Sequence, residues 1–381
     1  MRFYLKLLIL LLLFNSTNAS DVNFHAWGGS VIINNFIDKA SEDLKKNNIN
    51  FKHTKVIDIA DSIKILESDK FTNNLNNGLI DLMWINGENF HRLKQNELLF
   101  GPIDFNSISN YKYINPNDKS LYFDFGEPID GLEVPWGRAQ FVIIYDSDLI
   151  LKPPQTIEEL LLFAKENPGR LTYPQVPDFH GTTFLKQILY EIVEDKSILQ
   201  KSFASCQNSC NPLPKLMSFL KELHPLLWKQ GRKFPKSVNE TIPMLANREI
   251  WLSISFNPSV AATYVQNGIL RNSTRTTSFK KGSIGNTHYL AIPFNSPNKE
   301  SALQVIDYFL SPKIQADKAN IEIWGDPTVL DFNLMSKDEK IQFSKKQSIH
   351  ILPHNQIPYL QEPHYSWTEA IENEWIKEFN Y

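Results

Sequence analysis

The stretch Glu133 to Tyr173, EVPWGRAQFVIIYDSDLILKPPQTIEELLLFAKENPGRLTY, constrains this chain more than any other. It reads as one strand, a turn, one helix and the start of a second strand. Phe141 to Tyr145 is a short β-branched and aromatic run. Asp146 and Asp148 then lead into Pro153-Pro154, which continues neither a strand nor a helix. Thr156, with Glu159 three residues on, predicts a capping box, and Ile157, Leu160, Leu161 and Ala164 follow at helical spacing. Pro168 and Gly169 stop the helix. Strand and helix alternating in this way predict an α/β fold.

The amino terminus reads as a secretory signal peptide over residues 1–19. Arg2 and Lys6 precede an apolar run from Leu7 to Phe14, and small residues lead to a cleavage point near Ala19. The run is too short for an anchor helix, which needs about 20 apolar residues. A lipoprotein would need a cysteine just after it, and the first in the chain is Cys206. The expected location is therefore the periplasm. The formal charge of −3 becomes −5 once Arg2 and Lys6 are removed, which does not suggest nucleic acid. The length exceeds one ordinary domain core and favours two lobes. Asn73 to Asn77 reads as a helix end capped by Gly78.

Cys206 and Cys210 lie in the polar segment SCQNSCNP, and in an oxidising compartment a local disulfide is expected. Their spacing is not C-x-x-C, and two cysteines are too few for a structural zinc site. No metal ligand set, catalytic residue or cofactor is assigned.

Four strand-to-helix junctions carry the candidate site. In NFHAWGGS, Trp27 ends a strand, and Gly28, Gly29 and Ser30 lead into a helix whose first amides are expected to be free to donate. In LIDLMWINGENF, Trp84 ends a strand and Asn86, Gly87 and Glu88 open the next helix. In LTYPQVPDFHGTTF, Tyr173 ends a strand, and Asp178, His180 and Thr182 precede a helix. In IWLSISFNPSVAA, Phe256 follows a strand, Asn257 caps, and Pro258 suits the first helical position. Ligands of open α/β sheets bind outside the carboxyl ends of strands, so the four loops describe a cleft between two lobes. Any parallel α/β protein has such loops, and a buried Trp is commonly packing. Trp27 and Trp84 are taken as ligand contacts, and Trp136 stands equally between packing and ligand. Trp228, Trp251, Trp367 and Trp375 are taken as packing, the last two with Ile371 on one helical stripe.

Taken together, AWGGS, DLMWINGENF, the crossover, NPGRLTYP with DFHGTTF, and GNTHYLAIPFNSPNKESALQVIDYFLSP resemble the YnjB-type branch of ABC-transporter solute-binding proteins, related to the maltose-binding type. The resemblance covers nearly all of the chain after Ala19, although each motif is short. It implies a two-lobed periplasmic binding protein fold of type II, each lobe a mixed sheet flanked by helices, joined by a multi-strand hinge. The first lobe is expected over 20–135 plus about 291–324, and the second over 136–290 plus about 325–381. Crossings are expected near 136–140, 285–290 and 325, with Tyr289 facing the cleft. The implied function is to bind a small-molecule ligand and deliver it, as a monomer, to the membrane permease of an ABC importer and so indirectly to its ATPase. Helix amino-termini favour an anionic group, and the tryptophans an apolar or cationic ring. Thiamine-like, amino-acid-like and polyamine-like ligands stay open; iron is disfavoured because no Tyr-Tyr pair occurs.

Two other classes remain. A secreted α/β enzyme acting on a small molecule is one, with Asp178 and His180 as its only suggestive pair, since G-x-S-x-G, H-E-x-x-H and the P-loop are absent. His350 and His354 are separated by Pro353, which argues against a helical metal pair. A periplasmic scaffold protein is the other, with Arg271, Arg275, Lys280 and Lys281 as a docking stretch, although such a run is ordinarily a solvated face.

Overall fold

The computed structural model describes residues 19–85, 87–343, 348–352 and 357–379. All but the last residue of the expected signal peptide lies outside them, as do Asn86, Pro353 and His354.

The first sheet runs in the order β2 (Ile49–Val56), β1 (Ser20–Trp27), β3 (Leu82–Ile85), β10 (Ser283–Ala291). Strand β1 is parallel to β2 and β3, whereas β10 is antiparallel to β3. Both faces of this sheet are covered, so β3 reads as the unbroken apolar run LMWI instead of alternating. Val22, Phe24 and Ala26 of β1, with Leu82 and Trp84 of β3, pack under α1 (Val31–Lys45) and α10 (Lys299–Leu310). Met83 and Ile85 point the other way, onto α2 (Ile59–Phe71) and α3 (Glu88–Gln95). Helix α11 (Pro312–Ala319) and the two-residue strands β4 (Phe123–Asp124) and β5 (Glu127–Pro128) complete this lobe.

The second lobe is built on β7 (Val142–Asp146), antiparallel to β8 (Leu252–Ser255) on one side and β9 (Thr274–Thr277) on the other. One face carries α4 (Ile157–Glu166), α5 (Phe179–Ile192), α7 (Leu213–Leu223) and α13 (Ser366–Phe379); the opposite face carries α8 (Val238–Ala246) and α9 (Val260–Gln266). Trp367, Ile371 and Trp375 are fully buried there, as the stripe predicts. Each apolar side chain so buried contributes on the order of 1.5–3 kcal/mol. The short α6 (Phe203–Cys206) is tied by a Cys206–Cys210 disulfide.

Two strands join the lobes. Strand β6 (Val134–Gln140) pairs antiparallel with β10 over Gly285–Leu290. The amino-terminal end of β10 pairs with β11 (Tyr359–Gln361) of the second lobe, while its other end joins β3 of the first. Accordingly Ile284 belongs to the second-lobe core and Leu290 to the first.

Three local expectations are corrected. No crossing occurs near Gly325: Val329, Leu330 and Met335 bury against the first-lobe core, and Phe343 packs beside them. The Asp331 amide donates to the Tyr113 carbonyl, and α12 (Lys337–Ile341) follows on the same lobe. His350, by contrast, is hydrogen-bonded to Thr274 and Thr276 of β9 in the second lobe. Tyr173 follows a single bridge, Leu171 with Leu252, in place of a full strand. Helix α2 ends at Phe71, and Asn73 at φ +60 takes the left-handed position assigned to Gly78.

Candidate functional site

Between the lobes lies a cavity of about 540 Å3. The first lobe supplies Trp27 from the end of β1, Ile33, Trp84 from β3, Asn89, Trp324 and Asp326; the second supplies Phe179, His180, Ile242, Phe256, Asn257 and Tyr264 among others. The crossing strands form the floor through Ala139 of β6 and through Asn286 and His288 of β10. Alternation along a strand selects these two, because Tyr289 points to the opposite face and into the core under α2 and α3.

Aromatic rings face the cavity from both sides. Trp84 sits edge-on to Trp27 at 5.3 Å and to His288 at 5.1 Å, and Trp324 tilts against it at 5.8 Å. Across the gap Phe179 meets Phe256 edge-on at 5.2 Å. A smaller cavity of about 160 Å3 adjoins Phe179 and is lined by Asn89, Phe125, Thr182, Lys186 and Glu372.

One carboxylate, Asp326, lines the main cavity among the described residues, and it is paired. Lys318, fully buried, donates to its Oδ2, and His288 Nε2 lies 3.3 Å from its Oδ1. Burial alone would raise the Asp326 carboxyl, but the Lys318 ammonium and then His288 hold it below the usual range. Gly137 makes room for this pair, since a Cβ there would lie 2.5 Å from Asp326 Oδ2 and 3.0 Å from Lys318 Nζ. Burial pushes the His180 imidazole down to about 4, so it is neutral at pH 7. Several polar atoms have no protein partner among the described residues: both ends of the buried Asn286 amide, His288 Nδ1 and Trp84 Nε1.

The expectation of free opening amides is corrected where a side chain of the chain itself accepts from them. Asp178 caps α5, accepting from the His180 and Gly181 amides at 2.9 and 3.2 Å; burial, first of all, raises its carboxyl. The Ser30 hydroxyl caps Ile33 after the Gly28-Gly29 turn, and the Gly87 amide donates to Asp124 Oδ2 at 2.6 Å. Asn257 accepts from the Ser259 amide, so α9 begins at Val260 and Pro258 precedes its cap.

Of the expected site residues, Trp27, Trp84, His180, Phe256 and Asn257 line the main cavity and Thr182 the smaller one, where its hydroxyl donates to Glu372. Glu88 opens α3. Trp136, Tyr173 and Tyr289 are fully buried and lie in neither cavity. Trp136 packs edge-on against Trp84, Tyr173 is hydrogen-bonded to His224 and Trp375 inside the second lobe, and the Tyr289 hydroxyl donates to the Phe123 carbonyl. Sequence reasoning missed Asn286, His288, Trp324, Asp326, Phe179 and Tyr264. The alternation in GNTHYL pointed to Asn286 and His288, and Tyr264 lies one helical turn beyond Val260 on α9; Phe179, Trp324 and Asp326 come from a helix start and a loop with no periodic signal.

Two lobes on two crossing strands, enclosing an apolar cavity with buried polar atoms, define a cleft-type binding protein. The comparisons agree with that class. Residues 39–332 match the family model described as bacterial extracellular solute-binding protein. The chain is 36% identical over 368 residues to Protein YnjB of Escherichia coli strain K12, covering 96% of this chain and 92% of that one. It is similar in fold to an ABC transporter substrate-binding protein from Bradyrhizobium japonicum USDA 110, with TM-score 0.64, 15% identity and coverage of 94% and 99% of the two chains. A spermidine/putrescine ABC transporter substrate-binding protein, PotD from Streptococcus pneumoniae, aligns with TM-score 0.63, 14% identity and coverage of 94% and 98%. This chain belongs to the bacterial extracellular solute-binding proteins, and its function is to bind a small solute outside the cytoplasm.

Proposed function

We propose that the chain is a periplasmic receptor, cleaved near Ala19, whose lobes close over a small organic ligand and present it, as a monomer, to the permease of an ABC importer. The observation that carries this reading is the inter-lobe cavity, lined by both lobes and by the two crossing strands. Its volume falls in the range of roughly 300–1,000 Å3 typical of small-molecule sites. Trp27, Trp84, His180, Phe256 and Asn257, with Asn286 and His288 from the hinge, would contact the ligand. The hinge position of Asn286 and His288 supports coupling of binding to closure.

A receptor fits better than an enzyme. Asp178, the partner an acid–base mechanism would need for His180, caps α5, and its Oδ1 lies 3.7 Å from His180 Nδ1. The test is a thermal-shift screen of the mature protein, unfolded and refolded to strip carried ligand, against amino acids, polyamines, sugars, thiamine compounds and nucleobases. A ligand at about 100 times its dissociation constant stabilises by roughly 2.7 kcal/mol. A saturable shift without turnover supports the receptor; turnover of the bound compound would replace it with the enzyme reading.

A further inference from the structure

Resting on the receptor reading, we infer that the ligand is an uncharged planar ring compound whose edge carries a hydrogen-bond donor beside an acceptor, as in a lactam, a carboxamide or an amino-heterocycle. Four observations converge on it.

A cation would find no free counter-charge. Asp326 is the one carboxylate among the described residues lining the main cavity, and the fully buried Lys318 ammonium already neutralises it, with His288 Nε2 3.3 Å from its Oδ1. Of the rings lining the cavity, Trp324 already faces a cation, since Lys318 Nζ lies 5.5 Å from its centroid. Cation–π attraction alone does not replace the hydration that a buried ion gives up.

An anion would find no free counter-charge. Among the described residues neither Lys nor Arg lines the main cavity. Asp178 caps the His180 and Gly181 amides of α5, Ser30 caps the Ile33 amide of α1, and the Gly87 amide donates to Asp124. His180 is neutral at pH 7 and so offers no positive charge.

What faces the space is aromatic and aliphatic. Trp27, Trp84 and Trp324 stand on one side and Phe179, Phe256 and Tyr264 on the other, which suits a flat ring inserted between the lobes. At the floor, the Asn286 side chain is 4% exposed, and neither its Oδ1 nor its Nδ2 has a protein partner among the described residues. A buried primary amide asks for one acceptor and one donor side by side, which a lactam or carboxamide edge supplies. Trp84 Nε1 and His288 Nδ1 are two further unpartnered atoms within the same lining.

The experiment is isothermal titration calorimetry on the refolded mature chain, its circular dichroism matched to the native protein. The probes are rings in charge-matched sets: nicotinamide against nicotinate and N1-methylnicotinamide, and uracil against orotate, with adenine, spermidine, glutamate, glucose and phosphate alongside. A neutral ring is expected to bind at least about tenfold tighter than its charged counterparts, and Asn286→Ala to weaken it by at least about tenfold. Trp27→Ala, on the half-exposed wall, is the second variant and should also weaken binding. A charged counterpart that binds as tightly as the neutral ring, or an Asn286→Ala affinity equal to wild type, overturns the inference. If spermidine, glutamate, glucose or phosphate binds and no neutral ring does, the receptor reading stands and this inference falls. If nothing in the set binds, both fall.

Discussion

Glu133 is fully buried, and neither carboxylate oxygen has a partner among the described residues. Burial, reinforced by the neighbouring Asp124 carboxylate, raises its carboxyl well above the usual range. The folded protein therefore holds a proton there that the unfolded chain has released once pH passes about 4.5. Stability falls as pH rises from that value towards the raised folded one, with the sign set by the extra proton on the native state. Glu133→Gln should be close to wild type at pH 5 and more stable by about 1–3 kcal/mol at pH 8, read from urea midpoints at the two pH values. Gly137 acts through space alone: Gly137→Ala pushes a methyl group into the Asp326–Lys318 pair and should destabilise by about 1–3 kcal/mol. Wild-type stability in that variant would show that the ion pair shifts freely. At this scale local sequence pattern offers little warning. Glu133 and Gly137 are unremarkable in EVPWGRAQ until the chain around them is folded.

Elements were far more legible, because their signals are local. The Thr156 hydroxyl accepts from the Glu159 amide at 3.2 Å, and α4 begins at Ile157 as the motif requires. The reciprocal bond differs, for Glu159 reaches the Gln155 amide instead. Thr156→Ala should lower stability by about 1 kcal/mol, measurable as a shift in the thermal midpoint. The Cys206–Cys210 link closes a short loop between α6 and α7, and replacing both cysteines by serine should remove about 2 kcal/mol on the chain-entropy argument. An unchanged urea midpoint would mean that the unfolded chain already holds this turn closed. Where elements were misread, a tertiary partner decided the matter. The Leu171–Tyr173 strand shrinks to one bridge because Leu171 meets β8 at a single residue, Leu252.

In the whole molecule the lobes touch beyond the hinge. The His91 ring of α3 stacks on Tyr365 at 3.8 Å, the Tyr365 amide donates to the Phe125 carbonyl, and Lys186 Nζ lies 4.8 Å from the Phe125 ring centroid. These contacts link the first lobe to the second beside the smaller cavity. Tyr365→Ala should open the ligand-free protein, seen as a larger radius of gyration in small-angle scattering; an unchanged radius would show that the stack does not hold the lobes together. By itself the sequence determined the α/β class and pointed to Trp27, Trp84 and Phe256, which line the cavity, because capping, proline punctuation and apolar periodicity act within a few residues. Only the tertiary structure decided that the chain stays on the first lobe beyond Gly325, that Asn286 and His288 and not Tyr289 face the cleft, and that Trp136 is core. Those outcomes depend on which face of a strand meets which lobe, and on the mutual neutralisation of Lys318 and Asp326, which no local pattern encodes.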